Sequence, residues 1–239
     1  MNALRDMVGV FLAVTVGTSL LANAARRGVP RERLAEYAAS SPEEASAELN
    51  TVVKFARRRP ALFGDVSAAL YASDTEDGKA AGAALREALC RSVAAGRCSA
   101  ELKVVPGLGV DFRRGLLELA LAVGRDVGRA RAEGRLTYVV ATGGFKPEST
   151  FAVIAAYLAG AHGVVYVHET FRDVVELPML PLQLEEALAK FARGEADEYS
   201  LARRLGLDVH HLEGVGLLKK GEGGLALDDL VAALLEIRR

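Results

Sequence analysis

The chain has 239 residues, 51% of them hydrophobic, and carries 30 Lys+Arg against 31 Asp+Glu for a formal net charge of −1. That length holds one large domain and a small one. The charge balance excludes bulk electrostatic binding to nucleic acid or to an acidic membrane surface.

In chain order, Val8–Gly17 is a β-branched apolar run that predicts a central strand. Arg5, this run and Ala22-Asn23-Ala24 imitate a signal peptide. Asp6 spoils the basic start, however, and the run closes in a polar Gly17-Thr18-Ser19 turn, so a cytoplasmic protein is expected. Ser19–Arg27 predicts a helix, interrupted at Gly28-Val29-Pro30. Ser41-Pro42-Glu43-Glu44 has the form of a helix start, with Ser at the N-cap and Pro at the first helical position, and that helix is expected to run to about Arg59. Val66–Ala72 predicts the next strand, and Ser73-Asp74-Thr75 caps a helix to about Ala94. Leu102–Val105 predicts a short strand. Asp111 opens a long helix that Gly134 ends. Leu136–Ala141 predicts a strand, followed by a Gly-Gly-Phe-Lys loop and a helix to about Ala161. Val164–His168 and Val174–Leu177 predict a closing hairpin at the sheet edge.

Strands alternating with helices of this length predict an α/β fold, a Rossmann-like and mostly parallel sheet covered on both faces. Pro178-Met179-Leu180-Pro181 reads as a short stiff linker, which divides the chain into domains 1–181 and 182–239. Beyond it, Leu182–Arg193, Tyr199–Leu205 and Val209–Val215 predict short helices, Gly221–Gly224 a turn and Leu227–Ile237 a last helix. That order fits a small, mainly helical, winged-helix-like domain. Residues 183–239 carry eight Lys/Arg and eleven Asp/Glu, a net of −3. The candidate recognition helix 208–215 has no Arg or Lys, so DNA binding is not expected. Two cysteines, Cys90 and Cys98, make no disulfide framework or metal site. They are either idle thiols or one local disulfide. The four histidines are not spaced as a ligand set, and no metal or cofactor is expected.

Two loops hold the residue types that suit phosphate. Ala141-Thr142-Gly143-Gly144-Phe145-Lys146-Pro147-Glu148 offers glycines for close backbone approach, a helix N-terminus and a mobile cation. Gly17-Thr18-Ser19, with Asn23 one turn on, offers hydroxyls. Each follows a predicted strand and opens a predicted helix, so both can border one crevice beyond the carboxyl ends of a parallel sheet. Ordinary capping explains either loop alone; the pair is more specific. Ser73-Asp74 and Gly107-Leu108-Gly109 stand at similar strand ends.

The combination resembles CRISPR-associated CARF-domain proteins, in particular small ones in which a CARF domain precedes a winged-helix-like domain. The residues carrying the resemblance are Thr15-Val16-Gly17-Thr18-Ser19-Leu20-Leu21 with Asn23, Tyr71-x-Ser73-Asp74-Thr75-x-x-Gly78, Ala141 to Glu148, and Tyr166-x-His168-Glu169-x-Phe171 running into Leu177-Pro178-x-Leu180-Pro181. They span residues 8–181. The resemblance implies a homodimer that binds cyclic oligoadenylate, most often cyclic tetraadenylate, the second messenger of type III CRISPR defence. Some such proteins only sense the ring; others, the ring nucleases, cleave it. With no fused effector expected, the resemblance points to a metal-independent ring nuclease. A ribose 2′-hydroxyl attacks the adjacent phosphate and leaves a 2′,3′-cyclic phosphate. Ser19 and Lys146 are then the catalytic candidates. Gly17, Thr18, Asn23, Ser73, Asp74, Thr142, Gly143, Gly144 and Phe145 are the ligand-binding ones. The competing readings are a non-catalytic sensor that regulates transcription through the C-terminal domain, an effector ribonuclease using Arg204 and His210, and a nucleotide-binding Rossmann enzyme, which lacks support because no G-x-G-x-x-G follows the first strand.

Overall fold

The computed structural model describes residues 9–93, 96–167, 173–178, 185–221 and 224–237. The predicted linker beyond Pro178, the boundary at 181/182 and the His168-Glu169 pair lie outside the described residues.

Six strands form one sheet: β1 (Val10–Thr15), β2 (Asp65–Ser73), β3 (Arg97–Val105), β4 (Leu136–Val140), β5 (Gly163–Val167) and β6 (Val174–Pro178). Their order is β3-β2-β1-β4-β5-β6. The first five are parallel and β6 returns antiparallel to β5. All six residues of β1 are buried, as a central strand covered on both faces requires. Alternate residues of β1 serve the two layers. Leu12 and Val14 face a core with Leu20 and Ala24 of α1 (Ser19–Arg26), Leu34 and Ala38 of α2 (Leu34–Ser40), and the helices α3 (Pro42–Ala45), α4 (Ala47–Arg58) and α5 (Glu76–Ser92). Phe11 and Ala13 face a second core with Leu119, Val123 and Val127 of α6 (Phe112–Ala132) and Ala152, Ala155 and Ala156 of α7 (Lys146–Leu158). The mostly parallel α/β sheet expected from the sequence is the observed architecture.

Three local differences have physical causes. The helix expected from Ser41 to about Arg59 breaks at Ser46, which is extended (φ −148°) and caps α4 by accepting the Leu49 N–H at 3.2 Å. Ser41 makes no side-chain cap bond. A serine at the right register outcompetes helix continuation because its hydroxyl satisfies an orphan N–H. Strand β3 begins at Arg97 rather than Leu102, because each of its nine residues finds a partner on β2 from Asp65↔Arg97 to Ser73↔Val105. Finally, Cys90 of α5 and Cys98 of β3 are joined as a disulfide, so of the two open readings it is the local bridge that the structure contains.

Tyr71 and Asp126 tie the sheet to α6. The Tyr71 hydroxyl donates to Asp126 at 2.7 Å and Lys103 of β3 approaches the same carboxylate at 2.8 Å. Burial first, and the neighbouring Asp126 charge second, push the Tyr71 hydroxyl well above its ordinary range.

The C-terminal segment comprises α8 (Glu186–Ala192), α9 (Glu198–Leu205), α10 (Val209–Gly214), the antiparallel pair β7 (Leu218–Gly221) and β8 (Gly224–Leu227), and α11 (Asp229–Ile237). It has its own apolar cluster of Leu188, Leu201, Leu212, Leu218 and Leu235. Helix α9 ends at Gly206 in the left-handed conformation (φ 69°), the usual stop for a helix followed by a tight turn. Helix α11 lies against α6, with Ile237 packed where Gly124 has no side chain and Asp228 paired to Arg113. No described helix is long and apolar enough to cross a membrane.

Candidate functional site

The strand order reverses between β1 and β4, which lie side by side. At such a reversal the connecting helices leave on opposite faces, and the loops at the strand ends border a crevice. The sequence-selected loops Gly17–Ser19 and Thr142–Phe145 follow these two strands. The structure brings them into contact: a Cβ on Gly17 would lie 2.7 Å from the Gly144 amide nitrogen. Thr15, the last residue of β1, donates its hydroxyl to the Gly143 carbonyl at 2.7 Å, which fixes the second loop against the first strand.

Between the loops stands a residue that the sequence reading missed. Glu48, in the first turn of α4, is 1% exposed. Its Oε1 accepts the Gly17 N–H at 2.7 Å, and its Oε2 accepts the hydroxyls of Ser46 at 2.7 Å and Ser19 at 3.2 Å. Ser19 Oγ in turn accepts the Ala47 N–H at 3.2 Å. The carboxylate is therefore a buried anion held by three donors, as a buried charge must be. It sits where a ligand anion was expected on the Gly17 loop. The only sequence signal for it was Ser46-Ala47-Glu48 as a helix start, which was hidden inside the longer helix drawn from Ser41.

Glycine is required next to it. A Cβ on Gly143 would fall 1.9 Å from Glu48 Oε1 and 2.6 Å from the Thr15 carbonyl oxygen. Gly144 adopts φ 84°, a conformation that residues with a Cβ rarely hold.

Asn23 faces inward, with its amide donating to the carbonyls of Glu44 and Ala45 at 3.0 Å, so it shapes the chain before Ser46. Thr142 shares a 2.7 Å hydrogen bond with Thr51 of α4, while Thr18 is exposed at the start of α1. Ser73 and Asp74 form their own hydrogen-bonded cluster at the end of β2, the strand beside β1. Ser73 bonds Thr75 at 2.8 Å, and Asp74 receives the Gly107 N–H at 3.4 Å and pairs with Lys79 at 3.1 Å. The Lys79 hydrogen bond, with help from the Gly107 N–H, holds the Asp74 carboxyl below its ordinary range. Phe145 is 73% exposed and borders an apolar cleft with Leu108, Val110 and Phe112.

Lys146 is the first residue of the 13-residue helix α7, and its side chain is exposed. Pro147 has no N–H, and the Phe145 N–H is taken by Glu148 at 3.0 Å. The helix start thus offers fewer free donors than a generic one, and Lys146 adds a positive charge two residues beyond the Gly143-Gly144 turn. Burial pushes the Glu148 carboxyl above its ordinary 4.5, against the opposing pull of the Phe145 N–H.

The family model for CRISPR-associated protein (Cas_APE2256) matches residues 43–180, more than half of the chain. The chain belongs to this CRISPR-associated family. Among solved structures, it is similar to Can2 from Sulfobacillus thermosulfidooxidans, determined in complex with cyclic tetra-adenylate, at 11% identity and a TM-score of 0.36. That alignment covers 96% of this chain and 63% of the Can2 chain. A likeness of that size assigns no site residue and no activity.

Two outcomes follow from this geometry. Gly143→Ala forces Glu48 and the Thr15 backbone apart and is expected to destabilise the fold by about 2 kcal/mol, measured by denaturant unfolding; wild-type stability would contradict the wedged arrangement. Glu148 binds its proton more tightly in the folded state, so its contribution to stability is full below about pH 4.5 and declines as pH rises through the folded-state value. Glu148→Gln should therefore melt at or above the wild type at neutral pH, with the difference shrinking as the pH falls toward 4.5. A variant that is less stable at neutral pH than at acid pH, relative to wild type, would reverse the sign.

Proposed function

We propose that the protein is a ring nuclease. In this reading it binds cyclic oligoadenylate, with cyclic tetraadenylate the favoured ring, and cleaves it to linear products ending in 2′,3′-cyclic phosphate. The observation that carries the reading is the meeting of the Gly17–Ser19 and Thr142–Lys146 loops at the strand-order reversal, in a chain of a CRISPR-associated family.

A cyclic tetranucleotide has approximate two-fold symmetry, and an isologous homodimer presents the same loops twice. Each subunit would serve one half of the ring. Glu48 already fills the Gly17 N–H, so phosphate is directed to the other loop. There Lys146 and the Gly143-Gly144 turn offer charge and close backbone approach. Ser19 then faces the ribose rather than the phosphate. The 2′-hydroxyl oxygen attacks the adjacent phosphorus, the new O2′–P bond forms and the P–O5′ bond breaks. O5′ departs with a proton. The nucleophile is part of the substrate, so the protein's work is to splay the ring, align the attack and stabilise charge. Thr18, Thr142, which lines a pocket with Glu43, Glu44 and Lys54, and Phe145, in its apolar cleft with Leu108 and Phe112, would complete the proposed binding set, and Asn23 would support it from behind. Ser73 and Asp74 would reach only an outlying part of the ring.

The domain reading places residues 1–181 in the ring-binding unit and 182–239 in a winged-helix-like unit. The turn from α9 through Gly206 into α10, followed by the β7–β8 hairpin, favours that assignment. Helix α10 carries no Lys or Arg, so we assign the unit to protein contacts rather than DNA.

The test is turnover of cyclic tetraadenylate in excess EDTA, resolved by chromatography, for the wild type and Lys146→Ala. Loss of one charge-stabilising group is expected to slow cleavage by about 10²–10³. Equal turnover by the two proteins would remove Lys146 from the mechanism. An intact ring that stays bound to the wild type would make the protein a sensor.

A further inference from the structure

We propose that Glu48 acts through Ser19 to take up the proton of the attacking 2′-hydroxyl. The proposal rests on the ring-nuclease reading of the crevice and names a positioning residue for it. Its basis is the hydrogen-bond inventory of one hydroxyl. A serine hydroxyl has one proton and two acceptor sites. In Ser19 the proton points to Glu48 Oε2 and one acceptor site takes the Ala47 N–H. One acceptor site remains. A ribose hydroxyl meeting Ser19 can therefore only donate to it, and the lone pairs of that ribose oxygen stay free to approach phosphorus.

The step balances with no reactant beyond the ring, these side chains and solvent water. As the O2′–P bond forms, the 2′ proton passes to Ser19 Oγ and the Ser19 proton passes to Glu48 Oε2. Glu48 becomes neutral while Gly17 N–H and Ser46 Oγ continue to hold it. Ser19 ends as it began. The P–O5′ bond breaks, and O5′ takes a proton from Lys146 or from water. Glu48 can serve in this way because it cannot swing away. Gly143 leaves no room beside Oε1, and Ser46, which caps its own helix, grips Oε2. The charged groups on the elements packed around it are Glu43 and Glu44 of α3, Arg26 of α1, Lys54, Arg57 and Arg58 of α4 itself, and Lys146 and Glu148 of α7. Any of these can shape a pH profile, so assignment of a titration to Glu48 requires a variant at Glu48.

The experiment compares wild type, Glu48→Gln and Glu48→Asp with cyclic tetraadenylate in EDTA, recording kcat and KM across pH and the melting temperature of each protein. Glu48→Gln is expected to keep the wild-type KM, to lose about 10²-fold in kcat and to lose the acid limb of the kcat profile. Glu48→Asp, which retains the carboxylate one methylene back, should recover at least a tenth of the wild-type rate and the acid limb. The proposal is overturned by a Glu48→Gln kcat within twofold of wild type, by an acid limb that persists in that variant, or by an aspartate variant no faster than the glutamine one. If Glu48→Gln does not fold, Glu48→Asp decides. A lowered kcat with unchanged KM and a retained acid limb supports the relay, and a raised KM at unchanged kcat overturns it. A wild type that leaves the ring intact removes the nuclease reading and this proposal together. A cleaving wild type with an indifferent Glu48 removes this proposal alone.

Discussion

The structure around the crevice depends on one buried carboxylate. Glu48 joins the turn after β1, the serine that opens α1 and the start of its own helix, and it does so in the space that Gly143 leaves empty. A buried ion without partners would cost several kcal/mol. Here its donors come from the Gly17–Ser19 turn, distant in sequence, and from Ser46 at the start of its own helix, so the turn and the helix start must hold their places together. The break of the helix at Ser46 belongs to the same arrangement. It aims Glu48 inward and supplies one of its hydroxyl partners.

This changes the chemistry of the crevice. Two loops rich in Gly, Ser and Thr resemble a cradle with amides free on both sides. With Glu48 in place, the β1 side is already neutralised and presents a serine of defined orientation. The β4 side keeps Lys146 and the Gly143-Gly144 turn. In the proposed reading, an asymmetric crevice of this kind would order a nucleotide, with the anionic phosphate on one side and the ribose hydroxyl on the other. Such an order would suit attack by a 2′-hydroxyl on its own phosphate better than simple storage of a ring, because the reacting groups would be separated and aimed. The sheet supplies the rigidity. Residues of β1 are buried on both faces, and the Tyr71–Asp126–Lys103 tie fixes the neighbouring strands to α6.

Much of this was legible in the sequence because it is local. β1 announced itself by a β-branched run, α6 by Asp111 and Gly134, and the β5–β6 hairpin by its spacing. The two loops were legible because glycine and hydroxyl residues at strand ends have few other uses. Glu48 was not. Its role arises from residues 31 positions before it and about 95 after it, and a glutamate in a helix's first turn ordinarily signals only a favourable helix dipole. The Ser46 break was hidden for a related reason: Ser41-Pro42 is the stronger local signal and does open α3, while the Ser46 hydroxyl, which caps the Leu49 N–H and holds Glu48, opens α4. The local bonding of Ser73 and Asp74, to Thr75, the Gly107 N–H and Lys79, depends on contacts between β2 and the loop after β3 that sequence pattern alone did not supply.

The most direct test of the central claim is the phosphorus NMR spectrum of cyclic tetraadenylate incubated with the wild-type protein in EDTA. The account predicts that the ring's 3′,5′-diester signal decays while a 2′,3′-cyclic phosphate signal grows, with no phosphomonoester preceding it. A diester signal unchanged at saturating protein, or a monoester that appears first, would contradict attack by the ring's own hydroxyl.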